Sequence, residues 1–265
     1  MYKICPKCGH TEETVNDSVP VQCPECGLVY QKWFKNRFRF GAQDDETEIE
    51  SPGILSAYRL RELFLYVNPE IGRAAFFARC FIYAGLLIWG WQFIQMDYYY
   101  YVNGMRIDSA TPEIYDSFLH NVNLIFHEAG HVVFRPFGRF MTILGGSLLQ
   151  ILIPLLVMLV FLLKERNTFG AAVGLWWTGQ NFMDVAPYIN DARAGQIPLL
   201  GGGNGTDRPA MHDWHNLLSG AGMLEYDHAI AALVNGTGIL LMLLSLLWGA
   251  KLLHLQYKNL RSTSS

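Results

Sequence analysis

Charge is what this sequence has least of. Asp, Glu, Lys and Arg make up 16% of its 265 residues, against about 25% in ordinary soluble domains. The deficit is uneven: residues 1–72 are polar and charged, and most of the remaining chain is apolar. A net charge of −3 leaves no global basic field, so nothing in the overall balance argues for nucleic acid. The start, Met1-Tyr2-Lys3-Ile4-Cys5, lacks the charged flank, apolar stretch and cleavage site of a signal peptide, and none is expected. Cysteine is scarce too. Of five, four form two C-x-x-C pairs and Cys80 stands alone in an apolar run. Paired cysteines behind an untargeted N-terminus predict reduced thiols on metal in the cytosol, not disulfides.

The pairs are Cys5-Pro6-Lys7-Cys8-Gly9 and Cys23-Pro24-Glu25-Cys26-Gly27, with fourteen residues between them. Each reads as a knuckle in which the glycine permits a tight turn. Cys5, Cys8, Cys23 and Cys26 are expected to hold one structural zinc ion in a small β-type ribbon over residues 1–40. A module this small buries no core of its own, so the metal must supply its folding energy. Lys32, Lys35, Arg37 and Arg39 interleave with Trp33, Phe34, Phe38 and Phe40. That pattern fits a nucleic-acid surface or anionic headgroups, and the long apolar runs further along the chain favour the second. Residues 41–53 read as an acidic linker ending in Pro52-Gly53. Residues 54–73 read as a juxtamembrane amphipathic helix, with an ordinary packed helix as the alternative.

The apolar runs are of membrane length, judged against the ~20 residues a crossing needs. They are Ala74–Met96, Met141–Leu163, Phe169–Ile189 and Ala229–Leu253. The first ends in Tyr98–Tyr101, which suits a headgroup belt. In the third, Gly170 and Gly174 offer a small face for close helix contact. Phe118–Phe134 is shorter and more polar, either a fifth crossing or a helix dipping into the bundle. The expected fold is mostly α: a multi-span helical membrane protein of four or five spans over residues 74–255, with a polar tail at 256–265. Arg73 just ahead of the first span and Arg79 in its first turns favour a cytosolic N-terminus, with the chain in the cell membrane.

Within Phe118–Phe134 lies His127-Glu128-Ala129-Gly130-His131. On a helix the two histidines share a face one turn apart, so both imidazoles can reach one zinc ion. Glu128 can reach a water on that ion as general base, and Gly130 leaves room beside the metal. A catalytic zinc needs a third protein ligand. Asp184 and Asp191 both close an apolar run, where an acid is costly and points to function. His212 and His215 lie further on, with Asp213 between them placed to orient an imidazole from behind. The glycine run Gly201–Gly203 reads as a flexible connection. Asp227 is explained by its place at the start of the last helix. His120 and His254 are expected to be packed or interfacial.

The motif together with the later Asn181, Pro187 and Asp191 resembles the site-2 protease family of intramembrane zinc metalloproteases. The resemblance covers roughly residues 118–195. This chain departs from the family in a longer second spacing, in Ala192 where the family has glycine, and in Asp184 where it often has proline. It implies His127, His131 and Asp191 as ligands of a catalytic zinc and Glu128 as the base, whereas burial cost by itself favours Asp184. Asn181 or Tyr188 would help hold an oxyanion. It also implies a peptidase acting on a membrane or membrane-proximal protein substrate, with the bilayer as the other partner. The rival reading is a zinc-binding membrane scaffold or regulator whose ribbon recruits a protein or nucleic acid without cleavage.

Overall fold

A computed structural model describes residues 8, 22–29, 60–68, 71–103 and 112–262, apart from the side chains of 97–103 and 262. The chain divides into two units, Met1–Pro52 and Gly53–Ser265. Cys5, the basic-aromatic run at 32–40, the linker and the Tyr98–Tyr101 side chains lie outside the described residues.

In the first unit Gln22 and Val29 form an isolated antiparallel bridge, and among the described residues there is no strand. The bridge closes over the second cysteine pair. Cys23 N–H donates to Leu28 O at 2.9 Å and Gly27 N–H to Cys23 O at 3.0 Å. Gly27 sits at φ +70, a conformation that a Cβ would strain, which is why glycine follows the cysteine.

The second unit is helical. Among the described residues its α-helices of eight residues or more are α1 (Arg73–Asn103), α2 (Phe118–Val133), α3 (Arg139–Leu159), α4 (Thr168–Asn190), α5 (Asp213–Gly220) and α6 (Asp227–Ser262). Their starts follow local chemistry: Ser117 accepts from His120 N–H to open α2, and Asn167 accepts from Gly170 N–H to open α4. The end of α3 widens into a π turn at Val160–Lys164.

Among the described residues, three helical segments are long and apolar enough to cross a membrane: Arg73–Met96, Arg139–Lys164 and Leu224–Arg261. Four or five were expected, and the difference has a physical cause. α4 is 23 residues long, but it carries Thr178, Gln180, Asn181 and Asp184, all buried against protein. It is the central helix of the bundle, and its polarity is directed at its neighbours. α2 has 16 residues, about 24 Å at 1.5 Å per residue, short of a ~30 Å hydrocarbon core. Its outer stripe is nonetheless apolar, with Phe118, Ile125 and Val132 exposed, as are Leu233, Leu240 and Leu247 on α6. Large exposed apolar residues repeating on one helix face suit lipid as solvent.

Close packing relies on glycine. A Cβ on Gly179 would stand 2.7 Å from Gly238 O, so α4 and α6 meet backbone to backbone. A Cβ on Gly174 would stand 2.8 Å from the backbone of Met158 on α3, and one on Gly170 would meet the side chains of Asn167 and, at 3.1 Å, of Phe161 in the π turn that ends α3. Both glycines thus face the α3 segment, Gly174 against backbone and Gly170 against a side chain. Phe93, Trp176, Met183 and Met242 fill the core between α1, α4 and α6. Residues 60–65 form a short helix at the bundle edge. Leu65 and Val67 pack against the cluster of Phe169, Ala172 and Leu252, while Leu60 and Phe64 are exposed. The segment is thus amphipathic and also docked. Trp248 donates to Phe64 O and Thr168 to Tyr66 O, each at 2.6 Å.

A candidate metal centre

α2 presents His127 buried, His131 half-buried and Glu128 exposed. One ring nitrogen of each histidine and one carboxylate oxygen of Glu128 lie within 4.8 Å of one another, a set able to hold a metal ion. Both imidazoles are held from behind by α3. His131 Nδ1 lies 2.8 Å from Thr142 O. A carbonyl only accepts, so Nδ1 carries the proton and the neutral ring's lone pair is on Nε2. His127 Nδ1 lies 3.0 Å from Gln150 Oε1.

The two Nε2 atoms converge on a single atom, Asp213 Oδ2, at 3.1 Å from His127 and 3.3 Å from His131. A lone pair facing a carboxylate oxygen is stable only with a cation between them, either a proton or a metal ion. Two imidazole nitrogens and one carboxylate are also the donor set of an open tetrahedral site. By that chemistry the residues present fit a metal.

Without a metal, a proton takes the place. The hydrogen bond to Asp213 lifts the His131 pKa from 6.5 to about 9, against the opposing effect of burial. Burial raises the Asp213 carboxyl, but the hydrogen bonds from His127 and His131 together outweigh it and hold the group below 3.8. In the metal-free chain the His131 contribution to stability is complete below pH 6.5 and is lost as pH rises through about 9. Metal and proton compete for the same nitrogen. Metal affinity is therefore expected to rise about tenfold per pH unit up to that point, one proton leaving per ion bound. A chelator-competition titration between pH 6 and 10 measures this, and a flat profile would contradict the shared nitrogen.

Glycine sets how closely α3 approaches. A Cβ on Gly146 would fall 2.6 Å from His127 Nε2 and 2.7 Å from His131 Nε2, so any side chain there would occupy the metal position. Gly130 was expected to leave room for the metal. Its missing Cβ instead makes room for the backbone of Gly145, whose carbonyl oxygen it would strike.

Asp213 arrives on a short helix placed by its surroundings. Its own N–H donates to Tyr188 Oη at 3.0 Å. Trp214 Nε1 donates to Ser147 Oγ at 3.1 Å, which ties α5 to α3. His212 caps α5 by accepting from His215 N–H at 3.2 Å. On its other side, His212 Nε2 lies 3.3 Å from Asp191 Oδ2, both side chains being fully buried. Asp191 also accepts from Gln196 N–H and Ile197 N–H, each at 2.9 Å.

The carboxylate against both imidazoles is thus that of Asp213. The acids expected there, Asp191 and Asp184, have other partners. Asp191 anchors the loop that delivers α5, and His212 and His215 belong to that anchor, His215 Nδ1 lying 2.8 Å from Ala192 O. Asp184 is buried with His120, Asn123 and Gln150 around it. Asn181 donates to Trp177 O inside its own helix, whereas Tyr188 reaches the site. The glycine run is hydrogen-bonded, with Leu199 N–H donating to Gly203 O and Arg208 Nη1 to Gly201 O. At the start of α6 Asp227 accepts from the next N–H, that of His228, and it also pairs with Arg193 at 2.7 Å.

In the N-terminal unit, Cys8, Cys23 and Cys26 form a second group able to hold a metal ion. Cys8 and Cys23 Sγ are 3.7 Å apart, well beyond a disulfide's ~2.05 Å.

Comparison with known proteins gives no match to any family model, curated protein or solved structure.

Proposed function

We propose that this chain is a membrane-associated zinc metallopeptidase in which His127, His131 and Asp213 hold the catalytic metal and Glu128 is the general base. The convergence of both Nε2 atoms on Asp213 Oδ2 carries this reading. Two nitrogens and one oxygen with an open fourth position suit zinc better than harder or softer ions. Glu128 is exposed, and one of its carboxylate oxygens lies within 4.8 Å of a ring nitrogen of each histidine, where a base is useful and a packing residue is not. A bound zinc would polarise the scissile carbonyl and acidify the attacking water.

The chain's own residues do the rest. Glu128 accepts the proton of the attacking water and passes it to the leaving amine nitrogen. The Tyr188 hydroxyl already accepts the Asp213 N–H, so its own proton is available to a developing oxyanion. The resemblance to site-2 proteases and the apolar outer faces of α2 and α6 support a membrane or membrane-proximal protein as substrate. A second, structural zinc on Cys5, Cys8, Cys23 and Cys26 completes the reading, with that unit on the cytosolic side of the cell membrane.

The test is metal removal. The full chain is co-reconstituted in lipid vesicles with a panel of single-span reporter polypeptides. Fragments are expected to appear, to cease after dialysis against a chelator, and to return with stoichiometric Zn2+. No cleavage of any member by the zinc-loaded chain, or cleavage indifferent to the chelator, would overturn the proposal.

A further inference from the structure

We infer that Asp184 is a positioning residue for the metal: acting through Gln150, it fixes His127 in the tautomer whose Nε2 is free to bind. This rests on the reading of His127 as a ligand and extends it to an acid that touches neither metal nor substrate.

Donors and acceptors fix one another in turn through a buried chain of side chains. His127 binds a metal through Nε2 only if its proton sits on Nδ1, which requires an acceptor there. The neighbour at Nδ1 is the Gln150 amide, which can turn either end towards the ring. If the NH2 faced Nδ1, the proton would move to Nε2 and block the metal. Asp184 decides between the two. Gln150 Nε2 stands 2.8 Å from Asp184 Oδ2, and a carboxylate only accepts. The opposite orientation would set oxygen against oxygen at that distance, in a buried place where the repulsion is poorly screened. The NH2 is therefore turned to Asp184, leaving Oε1 for His127 Nδ1 at 3.0 Å.

Asp184 is itself fixed. Asn123 Nδ2 donates to the same Oδ2 at 3.2 Å. The orientation of Asn123 is set by Trp177 Nε1, a donor only, at 3.0 Å from Asn123 Oδ1. His120 Nδ1 lies 3.0 Å from Asp184 Oδ1, and its ring stacks on Tyr115. Asp184 is 2% exposed, so these polar side chains take the place of hydration. An acid in the central helix is expensive, and the relay gives it a use: metal-ready histidine chemistry is imposed from two residues away.

The experiment measures metal affinity, not turnover. Co2+ and Zn2+ are titrated into the full chain in detergent, with a competing chelator. Thiolate ligation adds a sulfur-to-metal charge-transfer band to the cobalt spectrum, so the cysteine site is read separately. Asp184→Leu removes the oxygen that Gln150 Nε2 and Asn123 Nδ2 now share, which frees the Gln150 amide to turn. Affinity at the histidine site is expected to fall roughly 10- to 100-fold, and 15N shifts of His127 should show the proton on Nε2.

The double variant Asp184→Leu with Gln150→Glu should recover most of the loss. The introduced carboxylate offers only acceptors, so the proton stays on His127 Nδ1. If Asp184→Leu does not fold by circular dichroism, Gln150→Met tests the relay at its middle link by removing the acceptor at His127 Nδ1, while Asp184 keeps His120 and Asn123. Unchanged affinity in a folded variant, or no recovery in the double variant, overturns the relay and leaves Asp184 as a packing element. Absence of metal at the histidine site in the unaltered chain defeats the metallopeptidase reading itself.

Discussion

A Glu128→Gln chain is expected to keep its metal and lose at least about 100-fold in hydrolysis, the scale on which a positioned proton carrier contributes. The two outcomes separate because the residue is separate. His127, His131 and Asp213 converge without help from Glu128, so the amide leaves their geometry alone. Glu128 is also exposed, so the exchange should move stability by no more than about 0.5 kcal/mol. Glutamine matches the shape of glutamate but cannot take a proton from water. Fragment release from the vesicle reporters, set beside zinc content per chain, measures both effects. Full hydrolysis with the amide in place would remove Glu128 from the mechanism. Full biological function without hydrolysis would favour the scaffold reading, in which the metal is structural and the cysteine unit recruits a partner.

The parts of this molecule that were legible in the sequence are those written in local spacing. The i, i+4 histidines needed only a helix to share a face. Apolar runs of bilayer length announced α1, α3 and α6, and the C-P-x-C-G pattern announced the turn that Gly27 makes. What escaped was long-range. α4 resembles a span by length, yet its buried Thr178, Gln180, Asn181 and Asp184 serve neighbours that are distant in sequence. Gly146 stands in an apolar run like any small residue, and only the packing of α3 on α2 brings it against both imidazoles. A weak signal for Gln150 was present, since a lone amide in an apolar helix is unusual enough to imply a partner. Asp213 was visible as a candidate support for an imidazole. What hid its role is that it is 86 residues from His127 and reaches the site only because the loop from Asp191 to His212 folds back.

That loop sets the sharpest choice the structure poses, between Asp213 and Asp191. Asp213→Ala is expected to weaken metal binding at the histidine site by more than the roughly 10- to 100-fold that outer-shell partners contribute, because it removes the carboxylate that faces both Nε2 atoms. Asp191→Asn should cost less there, about tenfold, at the low end of the range for a residue acting at one remove. Its amide supplies one acceptor where Gln196 N–H, Ile197 N–H and His212 Nε2 now find two oxygens. The anchor of α5 loosens, while Asp213 keeps its bond to Tyr188 Oη. The effects on stability should run the other way. Asp191 is fully buried, and its exchange leaves backbone donors short of partners, a loss of about 1–3 kcal/mol each when unmet. Asp213 is partly exposed, so its removal can be relieved by water. Chelator competition and thermal unfolding on both variants read the two axes independently. If Asp191→Asn abolished metal binding while Asp213→Ala spared it, the third ligand would return to the Asn181–Pro187–Asp191 segment. The loop beyond it would then be a scaffold for substrate and not for metal.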